Sequence, residues 1–151
     1  MKAVVALGAN LDDPQGAIEL AVALLREATE VIAVSSLYKT KPVGGPEQPD
    51  YFNAICIIES EVSATDFLHM LQGIEKSMGR IRVERWGPRI IDLDLITFGD
   101  IQSSDPHLTL PHPRAHERRF VLEPWLEIEP TAHLVGRGLI EQILEELPPS
   151  Q

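Results

Sequence analysis

The chain predicts an α+β fold: an antiparallel sheet with helices packed on it as a two-layer α/β sandwich, followed by a helical C-terminal extension. Three observations predict it. Strand-like apolar runs and helix-periodic stretches follow one another in the order strand, helix, strand, strand, helix, strand. The two adjacent strands are joined by Lys41 to Asp50, which holds three prolines and two glycines and so reads as a loop. The length of 151 residues with 44% hydrophobic content suits one domain, 1–151, with a real core.

Each element has a local reason. Lys2 to Leu7 is a short apolar run suited to a buried strand. Asp12, Asp13 and Pro14 supply a helix start, with proline where its missing N–H costs nothing. Ile18, Ala21, Val22, Leu24 and Leu25 mark one face of the helix that follows. Val31 to Tyr38 is rich in β-branched residues and reads as one strand, and Tyr51 to Glu59 as the next. Ser63 opens a second helix, whose stripe of Phe67, Leu68, Leu71, Ile74 and Met78 carries it to about Met78. Gly79 to Arg89 is polar, arginine-rich and without periodicity. Ile90 to Phe98 alternates Ile91, Leu93 and Leu95 with Asp92 and Asp94, a strand with two acids on one face. After an irregular stretch come short helices from Glu117 to Leu126 and from Leu139 to Leu147. This order is the split βαβ arrangement, with helices on one face of the sheet.

Bulk properties narrow the function. A net charge of −10 argues against nonspecific binding to nucleic acid or to an anionic membrane. No apolar run is long enough to span a bilayer, and the N-terminus does not read as a secretory signal. The single cysteine, Cys56, lies in an apolar run and reads as a small buried hydrophobe. The expectation is a cytoplasmic protein. Eight of its 13 Lys and Arg residues fall between Lys76 and Arg119, against six of its 23 acids. Such local concentration fits a bound anion, and equally a solvated charged surface.

Asp92 and Asp94 carry the sharpest signal. At i, i+2 on a strand their carboxylates share a face, with Cα atoms about 6.5 to 7 Å apart. A divalent cation would relieve their repulsion, and magnesium favours oxygen ligands together with substrate phosphates. The alternative is two exposed acids on a wet sheet face. Arg80, Arg82 and Arg89 flank the pair on a stretch read as a loop, and arginine suits multidentate contact with phosphate. A purely structural Arg/Asp network would leave Trp86 in that loop unexplained. Acids for metal and arginines for phosphate make a phosphoryl-transfer kit. Neither GxxxxGK[ST] nor GxGxxG occurs, so ATP, if bound, is held by side chains. His112 and His116 stand at zinc-like i, i+4 spacing, but Pro111 and Pro113 flank His112 and the HExxH glutamate is missing; a phosphate contact is the better functional reading, and a surface histidine the plain alternative.

These residues resemble a known family, the 6-hydroxymethyl-7,8-dihydropterin pyrophosphokinases of folate synthesis. The resemblance covers nearly the whole chain. Its pieces are Leu7-Gly8-Ala9-Asn10-Leu11, Ser35 to Thr40, Gln48 to Ala54, Gly79 to Arg82, Arg85 to Asp94, Leu110 to Arg114 and Glu117 to Leu122. The resemblance implies a ferredoxin-like fold and transfer of pyrophosphate from ATP to the pterin hydroxymethyl group, with release of AMP. By similarity, Asp92 and Asp94 would hold two magnesium ions. Gln72, Glu75, Arg82, Trp86, Arg89, His112 and Arg118 match positions that meet ATP. Thr40, Val43, Tyr51, Asn53, Trp86 and Phe120 match the pterin pocket. Arg80 and Arg89 match mobile-loop arginines that, with the two aspartates, serve catalysis. The Gly8 to Asp13 region departs from many relatives and is read as structural. Lys41 stands where a proline is frequent, and the arginine loop is one residue shorter than in some relatives. A monofunctional form, without a fused synthase or aldolase, is expected, and the helical tail and acidic surface make a monomer the default expectation.

Overall fold

The computed structural model describes residues 1–41, 48–82 and 90–149, apart from the side chains of Arg80, Ile81 and Arg82. Its main sheet holds β1 (Lys2–Ala9), β2 (Glu30–Val34), β3 (Tyr38–Thr40), β4 (Tyr51–Glu59) and β5 (Asp92–Phe98). Helix α1 (Pro14–Ala28) joins β1 to β2, and α2 (Ala64–Arg82) follows β4. The strand order is β2-β4-β1-β5, with β3 also on β4, and all pairs are antiparallel. β4 therefore lies between β1 and β2, which splits the first βαβ unit as the sequence predicts.

The helix starts follow the expected chemistry. Asp13 caps α1, its carboxylate accepting the Gly16 N–H at 3.1 Å, with Pro14 in the first turn. Ser63 Oγ accepts the Asp66 N–H at 3.1 Å at the start of α2. α2 runs through Arg82, four residues beyond the expected end. Gly79 sits within it with nothing within 4 Å of where a Cβ would lie. One such glycine costs a helix only about 1 kcal/mol, less than the apolar stripe beneath it contributes. Arg80 and Arg82 thus stand on helical backbone and not on a loop.

One expected strand is two. The break falls at Ser35, whose Oγ donates to the Ser36 carbonyl and accepts the Ile55 N–H at 2.9 Å each. The serine hydroxyl takes over a ladder position that a backbone carbonyl would fill, so regular pairing stops after β2 and resumes at β3. The irregular stretch after β5 contains a hairpin, β6 (Ser103–Asp105) and β7 (Leu108–Leu110). Then come α3 (Arg119–Ile128), a small hairpin of β8 (His133–Leu134) and β9 (Gly138–Leu139), and α4 (Ile140–Glu146).

Strand alternation sorts the core into two faces. Ala3, Val5 and Leu7 of β1, Ala54, Cys56 and Ile58 of β4, and Leu93 and Leu95 of β5 meet α1 and α2 through Ile18, Leu25, Phe67 and Leu71. Val4, Ile55, Ile57 and Ile96 point the other way and meet Val121, Leu122, Trp125 and Ile140. A register shift at Val4/Val5, opposite Leu95 and Thr97, returns Phe98 to the first face. The helical extension, which the sequence left unplaced, therefore covers the sheet face that α1 and α2 do not.

Candidate active site at the edge of the sheet

The site lies where the second core ends. On the face toward α3, β1 presents Val4, Ala6 and Gly8, a series of shrinking side chains. Directly paired residues share a face, so two rows cross the sheet there: Ile55, Ala6 and Asp94, then Asn53, Gly8 and Asp92. With almost no side chain in the middle of either row, a trough opens between β4 and the two acids. A Cβ at Gly8 would lie 3.2 Å from Asn53 Oδ1, so a larger residue there would press on that amide.

This trough is the floor of a cavity of about 260 Å³ lined by Thr40, Tyr51, Asn53, Asp92, Asp94 and Phe120, with Gln48, Lys41 and Arg118 at its rim. Asn53 is buried and its amide donates to Thr40 Oγ1 at 2.7 Å, so β3 and β4 present their polar groups as one unit. Asn10, also buried, donates to Gln48 Oε1 at 2.9 Å and to the Pro49 carbonyl at 3.2 Å. The glycine region read as structural thus contributes both a wall of the cavity and a tie to its rim. The Arg118 guanidinium lies over the Phe120 ring, 5.4 Å from its centre. Of the pterin-side expectations, Thr40, Tyr51, Asn53 and Phe120 come together here, while Val43 and Trp86 lie outside the described residues.

A second cavity, of about 290 Å³, opens at the outer edge of β5. It is lined by Gln72 and Glu75 of α2, by Asp94 and by His112, with His107 and Thr109 of the β6–β7 hairpin. Because β5 is a sheet edge, Asp94 borders both the sheet face and this outer space, and it lines both cavities. Glu75 holds the strand between the acids, its Oε2 accepting the Leu93 N–H at 2.8 Å. The His112 N–H donates to the Ile96 carbonyl at 2.8 Å, which pins the loop after β7 to β5. His107 and Thr109 escaped sequence reasoning, because a short polar hairpin carries no periodicity that points to a site.

His112 is half-buried, and its desolvation lowers its pKa below the ordinary histidine value; Asp94 pulls the other way, and Arg118 and Arg114 add to the lowering. Its Nδ1 accepts the Arg114 N–H at 3.2 Å, so the neutral ring carries its proton on Nε2. Arg118, expected on the ATP side, lines the sheet-face cavity. Arg89 lies outside the described residues, as do the side chains of Arg80 and Arg82. His116 sits 3.6 Å from Glu117.

The donor chemistry fits magnesium. Asp92 and Asp94 are hard oxygen donors, partly exposed, on one strand face, and Asp94 stands at the junction of the two cavities.

Comparison with known proteins gives a consistent result. A family model described as 7,8-dihydro-6-hydroxymethylpterin-pyrophosphokinase (HPPK) matches residues 4–130. A relative from Haemophilus influenzae, named 2-amino-4-hydroxy-6-hydroxymethyldihydropteridine pyrophosphokinase, is 38% identical over 146 residues, with 95% of this chain and 91% of that protein covered. One of the same name from Synechocystis sp. is 47% identical over 133 residues, covering 85% of this chain and 66% of that protein. Among solved structures, a Plasmodium falciparum HPPK-DHPS superposes with a TM-score of 0.72 at 17% identity, over 96% of this chain and 44% of that one. The chain thus spans less than half of that protein, and the likeness speaks for the fold.

Proposed function

The chain belongs to the 7,8-dihydro-6-hydroxymethylpterin-pyrophosphokinase family, and from that premise we infer that it transfers pyrophosphate from ATP to the hydroxymethyl group of 6-hydroxymethyl-7,8-dihydropterin, releasing AMP, in folate synthesis. The observation that carries the reading is the position of Asp94, which lines a sheet-face cavity and an edge cavity at once.

The flat pterin occupies the sheet-face cavity between Tyr51 and Phe120, both in its lining. Asn53 supplies amide donors and acceptors to the pterin edge. ATP occupies the edge cavity, against Gln72, Glu75 and His112. Neutral His112 donates through Nε2–H to a phosphate oxygen, since its Nδ1 is already committed to the Arg114 amide. Arg118 adds positive charge from the side of Phe120. Asp92 and Asp94 would hold two magnesium ions, which when bound supply charge neutralisation and lower the pKa of the pterin hydroxyl. The hydroxyl loses its proton to solvent as its oxygen forms a bond to the β-phosphorus and the bond from that phosphorus to the AMP oxygen breaks. Arg80, Arg82, Arg89, Trp86 and Val43 keep their proposed roles: Arg82 and Arg89 on ATP, Arg80 and Arg89 on developing charge, Val43 and Trp86 on the pterin, and Trp86 also on ATP.

We propose further a cytoplasmic location and, from the net charge of −10 and the helical tail, a monomer. No described helix is long and apolar enough to cross a membrane.

The test is to incubate the protein with ATP, magnesium and 6-hydroxymethyl-7,8-dihydropterin and follow AMP. AMP formed only with pterin present is the expected result. AMP formed equally without pterin, or none at all, would contradict the assignment.

A further inference from the structure

Glu127 lies in α3, seven residues after Phe120. Two helical turns separate them, so both side chains leave the same helix face. Phe120 meets the sheet-face cavity at the start of that face. Glu127, at the other end, meets the short connection between β2 and β3. Its carboxylate accepts three donors, two from that connection and one from the first residue of β3: the Ser36 N–H at 3.0 Å, the Ser36 hydroxyl at 2.9 Å and the Tyr38 hydroxyl at 2.8 Å. Against the desolvation that alone would raise its pKa, these bonds hold the Glu127 carboxyl below the ordinary value. Burial and the same carboxylate push the Tyr38 phenol up to about 12, so both partners stay in the states that bond.

The bonded segment leads straight into the opposite cavity wall. β3 is three residues long, and among the described residues it pairs only with β4. Tyr38 and Thr40 are two apart on it and share a face. Tyr38 is held by Glu127, and Thr40 by the Asn53 amide at 2.7 Å. The wall carrying Thr40 and Asn53 is therefore tied through one carboxylate to the helix carrying Phe120.

We propose that Glu127 is a positioning residue for the pterin site: it sets the gap between the Phe120 wall and the Thr40–Asn53 wall, and so governs the affinity for pterin and not for ATP. The proposal rests on the reading of the sheet-face cavity as the pterin site. The separation from ATP follows from construction. Gln72, Glu75 and His112 stand on α2 and on the loop after β7, whereas Glu127 bonds to Ser36 and Tyr38 beside the sheet-face cavity. Glu127 is exposed, so water replaces its bonds cheaply when they are lost and global stability changes little. Geometry at the cavity is what suffers.

The experiment compares Glu127→Gln with the wild type, measuring KM for each substrate, kcat, the thermal midpoint and amide exchange of the Ser36 to Thr40 segment. The amide side chain keeps the shape but loses the charge that accepts three donors together. The expected result is a pterin KM raised about tenfold, an ATP KM and thermal midpoint close to wild type, and faster exchange at Ser36. Adding Tyr38→Phe to Glu127→Gln is expected to raise the pterin KM little further, since both remove one brace. An unchanged pterin KM, equal rises in both KM values, or independent additive losses in the double variant would overturn the proposal. A wild type that makes no pterin-dependent AMP would overturn the pterin reading itself. An active wild type with an indifferent variant would overturn only the brace.

Discussion

The two faces of the sheet begin alike and end differently. Under α1 and α2, β1 buries Ala3, Val5, Leu7 and Ala9, so the apolar layer continues along the whole strand. Toward α3 the same strand presents Val4, Ala6 and Gly8, and the layer gives out. Where it gives out, polar groups from three neighbouring strands converge: Asn53 and Tyr51 from β4, Thr40 from β3, and the two aspartates from β5. One face is spent on stability and the other is divided between stability and chemistry. The division is set by side-chain size on a single central strand, since a residue larger than glycine at position 8 would fill the trough that the acids face.

This contrast predicts effects of graded size. The largest belongs to Asp94, which borders both cavities. Asp94→Ala is expected to lower pterin-dependent AMP release by about three orders of magnitude while leaving the thermal midpoint near wild type. Near wild-type turnover would remove Asp94 from the chemistry.

A paired measurement tests the division of faces. Phe67 is fully buried on the α1/α2 face against the Phe98 ring, their centres 5.5 Å apart. Phe67→Ala is expected to cost about 3–5 kcal/mol of unfolding free energy in urea, with pterin KM unchanged in the protein that remains folded. Gly8→Val is expected to act mainly on binding, raising pterin KM about tenfold by filling the trough and pressing on the Asn53 amide, at a smaller cost in stability than Phe67→Ala. If Gly8→Val leaves pterin KM alone, the trough is not the pterin floor.

The smallest effect is electrostatic. The folded-state pKa of Glu127 is depressed from its ordinary value of 4.5. Its contribution to stability is thus fully present above pH 4.5 and is lost as pH falls through the lower folded value. The small gap in thermal midpoint between wild type and Glu127→Gln at neutral pH should therefore close on acidification below pH 4.5. A gap that stays constant with pH would mean that the carboxylate charge is not what Ser36 and Tyr38 engage.

Much of this was legible in the sequence because it is periodic. The i, i+2 acids on β5, the stripe from Phe67 to Met78 and the Asp13–Pro14 helix start all express local geometry, and each stands where its spacing placed it. What escaped was not periodic. The break between β2 and β3 depends on one serine hydroxyl meeting Ile55 across the sheet, a contact no local window contains. The extension of α2 through Arg82 hides behind Gly79. His107 and Thr109 reach the edge cavity on a hairpin of three-residue strands, too short to pattern. The role of Gly8 was visible only as a small residue in a strand, and its meaning came from the register that sets it between Asn53 and Asp92. The resemblance reached residues that periodicity could not, Thr40, Asn53 and Phe120 in one cavity and Gln72, Glu75 and His112 in the other, but it missed His107 and Thr109 and set Arg118 with ATP, whereas Arg118 lines the sheet-face cavity.

That junction is the central claim, and separate calorimetric titrations of Asn53→Ala and Gln72→Ala test it most directly. Each variant is titrated with pterin alone and with magnesium ATP alone. The account predicts that Asn53→Ala weakens pterin binding and leaves ATP binding intact, and that Gln72→Ala does the reverse. If both variants weaken the same ligand, the two cavities do not hold separate substrates, and Asp94 does not stand between them.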